Sequence, residues 1–211
     1  MYFPIEDFCD ISGFPYSEIF DNTKNAWEAI PKIEDLIEQL FKTGKVKANY
    51  KDSRNIYVGN GTTIMEDAVI LGPAIIGKNC FISNAVLLRN NCLIGNNVNI
   101  GHACEIKNSI FLNGASAAHF NYVGDSIIGN NVNLSGGAML ANYRLDKNPV
   151  TIKSNGKKIK TGLLKFGSVI GDNSNIGVNA VLNPGTILGK NVVVFPLASV
   201  LGAHSSGKII K

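Results

Sequence analysis

Cysteine, tryptophan and histidine are scarce in this chain of 211 residues, with four Cys, one Trp and three His. Four Cys cannot build a disulfide scaffold. Aromatic residues make up only 8% of the chain, which argues against a large aromatic-rich core. The net charge of +4 is too small to argue for a nucleic-acid partner. The longest apolar stretch, 192–203, contains Pro196 and is too short to span a bilayer. The opening MYFPIEDF has neither a basic flank nor an apolar run, so no signal peptide is expected and the cytoplasm is the expected location. What the chain does have is 45% hydrophobic and 17% charged residues, the balance of a globular domain, and 22 Gly against seven Pro, which points to many tight corners.

An internal repeat organises most of the sequence. Stepping by six from Val58 meets Ile64, Ile70, Ile76, Ile82, Leu88, Ile94, Ile100, Ile106 and Leu112, all aliphatic. After a slip of two the phase resumes at Ile128, Leu134 and Leu140, and then runs from Ile170 through Ile176, Leu182, Leu188 and Val194 to Val200. Gly often follows the aliphatic, as at Gly77, Gly95 and Gly171, where it allows a sharp corner or a positive φ. The fifth position is small or β-branched, as at Ala68, Val86 and Ala138. Corners such as Ile76-Gly-Lys-Asn and Ile94-Gly-Asn-Asn recur every eighteen residues. Three hexads therefore make one coil of a triangular prism of parallel strands, stacked about 4.8 Å apart. The aliphatics point inward. Cys80, Cys92 and Cys104 fall on the fifth position, as small interior residues rather than nucleophiles.

Two stretches stand outside the repeat. Residues 1–57 hold an expected amphipathic helix at 23–41, with Asp21, Asn22 and Thr23 as candidate N-caps, Gly44 as a candidate C-cap, and Pro31 marking a kink or a later start. Its expected role is packing on the first coils or on a neighbouring subunit. Residues 144–168 interrupt the prism, with an expected β-hairpin turning at Asn155-Gly156. Seven basic residues and one acid lie between Arg144 and Lys165. This insert reads either as a solvated edge loop or as a flexible arm that collects a phosphorylated ligand. The prism proper is expected over 58–205, with a tail at 206–211.

Function is sought where the repeat is violated. Arg89 and Lys107 take the second hexad position, where small residues are common. Eighteen residues apart, they stack on one corner, and two cations so close repel unless an anion sits between them. The slip between Leu112 and Ile128 contains His119 and Tyr122, and His is the side chain best matched to general-base work near neutral pH. The segment Asn131-Val-Asn-Leu-Ser-Gly-Gly137 leads to Asn142 and Tyr143, neutral groups suited to sugar hydroxyls.

The hexads resemble those of the hexapeptide-repeat transferases. That resemblance implies an all-β, left-handed parallel β-helix, here with a short N-terminal helical segment and an inserted hairpin, assembled as a homotrimer with sites between prisms. More narrowly, 58–201 resembles the C-terminal acetyltransferase domain of the bifunctional enzyme that makes UDP-N-acetylglucosamine. The segment Ala118-His-Phe-Asn-Tyr-Val-Gly-Asp125 is similar to its catalytic stretch, and Asn131-Val-Asn133 with Asn142-Tyr143 to its sugar-binding stretch. The longer insert resembles that of archaeal-type sugar-1-phosphate nucleotidylyltransferases, and Lys147 lies nearest to the lysine the bacterial enzyme carries there. The Gly-rich signature of the nucleotidyltransferase half is missing, so uridylyl transfer is not expected.

The resemblance implies acetyl-CoA as co-substrate and an amino sugar-1-phosphate as acceptor, with no metal, nucleic acid or membrane span. Arg89, Lys107 and Tyr122 would hold the phosphate, Asn133, Asn142 and Tyr143 the sugar, and His119 would act as general base. A backbone N–H near Gly136 or Ser168 would meet the acetyl oxyanion, and Lys residues of the hairpin or Lys208 and Lys211 the CoA phosphates. The competing readings are a non-catalytic sugar-phosphate-binding or assembly module, and an acetyltransferase with another acceptor.

Overall fold

The computed structural model describes residues 2–51, 53 and 55–211. Hexads wind into three parallel sheets whose neighbours are successive coils. The first wall runs from Ile56–Val58 through Ala74–Ile76 and Cys92–Ile94 to Ala203–His204, and has eight strands. The second wall, also of eight, runs from Thr63–Ile64 to Ile209–Ile210. The third has seven, from Val69–Leu71 to Ser199–Val200. Inside lies a column of aliphatic and small residues, including Ile76, Ile94, Ile100, Ile106, Ala68, Val86 and the thiols of Cys80, Cys92 and Cys104. This is the three-hexad prism read from the sequence. No helix among the described residues is long and apolar enough to cross a membrane.

Two details of the winding differ from the six-residue count. Phe111, not Leu112, pairs with Ile94 below and Ile128 above, and points into the core. Leu112 joins an outer apolar cluster instead. The slip of two is two separate slips of one: the leg from Ile106 to Phe111 and the leg from Val123 to Ile128 each lack one residue. Both fall at the corner between the third and first walls. The glycines that follow the aliphatics also serve a different purpose. At Gly77 an added Cβ would lie 2.3 Å from the carbonyl oxygen of Gly95 on the next coil, and at Gly101 1.6 Å from that of Ala118. They permit close approach of coils, while the left-handed position is filled by Asn79, Asn97, Asn173 and Asn191, with φ from 54° to 60°.

The outer face of the first wall is as apolar as its inner face. Ile75, Leu93, Ile110, Ile127, Val169 and Ile187 form a buried outward column. A strand buried on both faces reads as a continuous apolar run. The N-terminal segment seals this column with Phe3, Ile5, Trp27, Ile30, Ile33 and Ile37. The helical part is a 3-10 stretch, Ala26–Lys32, followed by an α-helix, Ile33–Lys42. Pro31 lacks the N–H an α-helix interior needs, so the α-helix begins only after it. The expected caps at Asp21, Asn22 and Thr23 are not used, and the Thr23 hydroxyl donates instead to the Phe20 carbonyl. Gly44 does take the left-handed conformation just past the helix, at φ 74°. Hydrogen bonds tie the segment to late coils: the Asp10 N–H donates to the Asp172 carboxylate at 2.7 Å, and the Asp172 N–H to the Phe8 carbonyl at 2.9 Å.

The insert forms the expected hairpin, Thr151–Ser154 against Lys157–Lys160, turning at Asn155 and Gly156 with φ 48° and 74°. It does not hang free. Val150 and Ile152 are buried in the cluster that covers the first wall, and the Lys153 backbone lies against Gly202. Its lysines face outward from this anchored base.

Candidate functional site

The third wall carries the charged side chains. Strand register sets Arg89 beside Lys107 and Lys107 beside Gly124, one column on one wall. This is the stacking expected of an eighteen-residue interval. The anions that relieve the cation pair belong to the protein: Arg89 Nε lies 2.7 Å from Glu105 Oε1, and Lys107 Nζ 3.2 Å from Asp125 Oδ2. Asp125 is buried and accepts two further donors, Asn108 Nδ2 at 2.8 Å and Asn142 Nδ2. A buried carboxylate must be compensated in this way.

Gly124 shapes the centre of this cluster. A Cβ there would lie 2.5 Å from Asn142 Nδ2 and 2.6 Å from the Tyr122 hydroxyl, so the missing side chain is what lets both approach. Burial pushes the Tyr122 hydroxyl pKa up, and the carboxylates of Asp125 and Glu105 push it further. Tyr122 therefore stays a neutral phenol that can donate a hydrogen bond. Arg89, Lys107, Tyr122 and Asn142 thus share one patch with Glu105 and Asp125. The two carboxylates had no assigned role in the sequence. The signal was present, since Glu105 sits two residues before Lys107 on the same strand face.

His119 lies at the corner between the second and third walls and is exposed. Its carbonyl accepts the Gly137 N–H at 2.8 Å, while the carbonyl of His102 accepts the Phe120 N–H at 2.9 Å. His102, His119 and Gly136 therefore hold equivalent turn positions on three successive coils. The sequence interval of seventeen hid the stacking of the two His. Among the described residues no group of three metal-ligating side chains comes together. The Gly136 N–H is not spent on any carbonyl among the described residues.

Other expected residues stand apart. Asn133 is on the outer face of the second wall, in register with Ser116 and Asn175. Tyr143 is exposed and lines a shallow cleft with Ala141, Leu145 and Leu201, higher on the third wall. Ser168 is fully buried and its N–H is given to Ser126 Oγ at 3.0 Å, so it offers no donor to a ligand at the surface. Lys147, Lys208 and Lys211 are exposed and outside the cluster. The Cys92 thiol is buried and its pKa is pushed up to about 12 by desolvation, which removes it as a nucleophile.

A three-walled parallel coil built on hexads, with a polar patch on one open wall, defines a hexapeptide-repeat β-helix. Residues 72–164 match the family model described as GMPPB C-terminal domain, and residues 168–194 match the hexapeptide repeat of succinyl-transferase. The putative uncharacterized acetyltransferase YaiX of Escherichia coli K12 is 34% identical over 188 residues, covering 81% of this chain and 80% of the relative. The chain belongs to the hexapeptide-repeat acyltransferase family. The bifunctional protein GlmU of Methanococcus vannielii is 42% identical over 86 residues, 41% of this chain and 20% of that protein. The bifunctional sugar-1-phosphate nucleotidylyltransferase/acetyltransferase of Sulfurisphaera tokodaii is 34% identical over 103 residues, 49% of this chain and 26% of that protein. The chain thus spans only about a fifth to a quarter of the length of these two bifunctional relatives. The solved structure of the polysialic acid O-acetyltransferase OatWY covers 72% of this chain and 74% of its own at 22% identity and a TM-score of 0.47, too loose a likeness to bear on the site.

Proposed function

We propose that this protein is an acetyl-CoA-dependent N-acetyltransferase whose acceptor is an amino sugar-1-phosphate, glucosamine- or galactosamine-1-phosphate, serving UDP-N-acetyl-hexosamine synthesis. The observation that carries the reading is the vertical pair Arg89 and Lys107, in contact with the Tyr122–Asp125–Asn142 cluster on the wall that the exposed His119 borders. In this reading the phosphate lies on Arg89, Lys107 and the Tyr122 hydroxyl, drawing the two cations from their carboxylates. Asn142 orients the sugar. Asn133 lies on the second wall, three residues before Gly136, and faces the acceptor from that side of the His119 corner; a homotrimer with sites shared between prisms belongs to the same reading.

The acceptor amine attacks the thioester carbonyl carbon of acetyl-CoA. His119 accepts the proton the amine loses, the C–S bond breaks, and the proton passes to the departing CoA thiolate. The uncommitted N–H of Gly136, one coil above His119, is the donor for the oxyanion. Holding both substrates in one cleft supplies much of the remaining acceleration, and no covalent enzyme intermediate is needed.

One observation favours a second reading. Each cation already has a carboxylate within ion-pair distance, so a phosphate must share it with a built-in anion or displace that anion. An acetyltransferase with an uncharged sugar acceptor would leave those pairs intact. Thiol release from acetyl-CoA across amino sugars with and without a 1-phosphate separates the two. The proposal expects turnover with the phosphorylated acceptors and little without the phosphate. Equal rates for both would transfer the assignment to the uncharged acceptor.

A further inference from the structure

His102 is a chemically capable side chain at the His119 corner that the reading above leaves unused. It occupies the same turn position one coil earlier. The exposed Phe120 ring sits against both imidazoles, edge-on to His102 at 5.3 Å between centroids and tilted to His119 at 6.5 Å. The His102 ring is half-buried, and its Nδ1 is buried with no hydrogen-bond partner. A proton on Nδ1 would be a buried donor with nothing to accept it, a costlier arrangement than an unused lone pair. The proton therefore belongs on Nε2. That nitrogen is not among the buried unpartnered atoms and makes no hydrogen bond among the described residues. The ring packs against Phe120 and presents a single N–H donor at the open corner.

The coil order says what that donor meets. His102 shares its coil with Glu105 and Lys107, the coil below that of His119 and Tyr122. Gly136 lies on the coil above. An acceptor anchored at Lys107 and attacking a thioester beside Gly136 spans these coils from below, and its ring passes the His102 edge before its amine reaches His119. We propose that His102 is an acceptor-recognition residue whose Nε2–H donates to a hydroxyl or ring oxygen of the amino sugar, on the side remote from the thioester. This rests on the amino sugar reading above.

The test is steady-state kinetics on wild type, His102→Leu and His102→Gln with glucosamine-1-phosphate and galactosamine-1-phosphate, alongside thermal melts. Leu keeps bulk against Phe120 and loses the donor, while Gln keeps a donor. The expected result for His102→Leu is a rise of about tenfold in acceptor KM, the value of one neutral hydrogen bond, with kcat and the acetyl-CoA KM within about twofold. Its preference between the two epimers should also change, its melting temperature should hold, and Gln should restore most of the acceptor KM. An unchanged acceptor KM in His102→Leu, or equal rises in both substrates' KM, overturns the assignment while leaving the amino sugar reading intact. A wild type that acetylates neither acceptor overturns both.

Discussion

The first wall and the third are built from the same hexads, yet one is sealed and the other is open. On the first wall the outward residues Ile75, Leu93 and Ile110 are buried under the N-terminal segment and the base of the hairpin. On the third wall the outward residues include Arg89, Glu105, Lys107 and Tyr122 together with exposed apolar side chains such as Val69, Leu71 and Met139, with Val69 49% exposed. The inward column is alike in both. The repeat fixes winding and core, and only the outward positions decide whether a wall is scaffold or working surface. The chain thus uses its non-repetitive segments to close one face and leaves the two faces that meet at His119 uncovered.

Charge placed on each wall should break the two faces apart. Ile75 and Val69 face outward on neighbouring strands of the early coils. Ile75→Asp buries a carboxylate with no partner and should cost several kcal/mol, enough to detach the N-terminal segment or unfold the whole chain in a denaturant melt. Val69→Asp on the open wall should stay within about 0.5 kcal/mol of wild type. Equal sensitivity at the two positions would remove the contrast. A smaller effect is expected at the polar patch. Gly124→Ala brings a Cβ to 2.5 Å from Asn142 Nδ2 and should cost about 1–3 kcal/mol by overpacking, with a larger proportional loss in acceptor binding than in melting temperature. The smallest effect is chemical. With a thiol pKa near 12 and full burial, Cys92 should resist alkylation at pH 8 in the native protein and react only after unfolding, as read by mass spectrometry.

The inner half of this molecule was legible because a period of six leaves the same residue pointing inward at each step, so Ile76, Ile94 and Ile106 announce themselves. The same regularity misled where it failed. Two legs shortened by one residue look like one slip of two, which put Leu112 in the column that Phe111 fills. The first of them also sets His102 and His119 seventeen apart, so that their stacking could not be seen at a period of eighteen. The cation column was legible for the opposite reason, since no shortened leg falls between Arg89 and Lys107 and the interval keeps its full eighteen residues. Of their carboxylate partners only the placing of Glu105, two residues before Lys107 on the same strand face, was legible, because which ion pair forms between coils depends on which side chain reaches which rung. The apolar run on the first wall was visible in Ala74-Ile-Ile76 and Cys92-Leu-Ile94, but nothing local to those strands names the segment that covers them. That packing joins residues a hundred positions apart, as with Asn113 Nδ2 and the Gly13 carbonyl at 2.7 Å.

The open wall is held to be a surface for acyl transfer at His119. The direct measurement is release of CoA thiol from acetyl-CoA with glucosamine-1-phosphate or galactosamine-1-phosphate, comparing wild type with His119→Ala. The exposed side chain makes no packing contribution to the sealed core, so the variant should melt with wild type and lose turnover by about 10²–10⁴-fold. A folded His119→Ala protein that transfers acetyl at the wild-type rate would contradict the account.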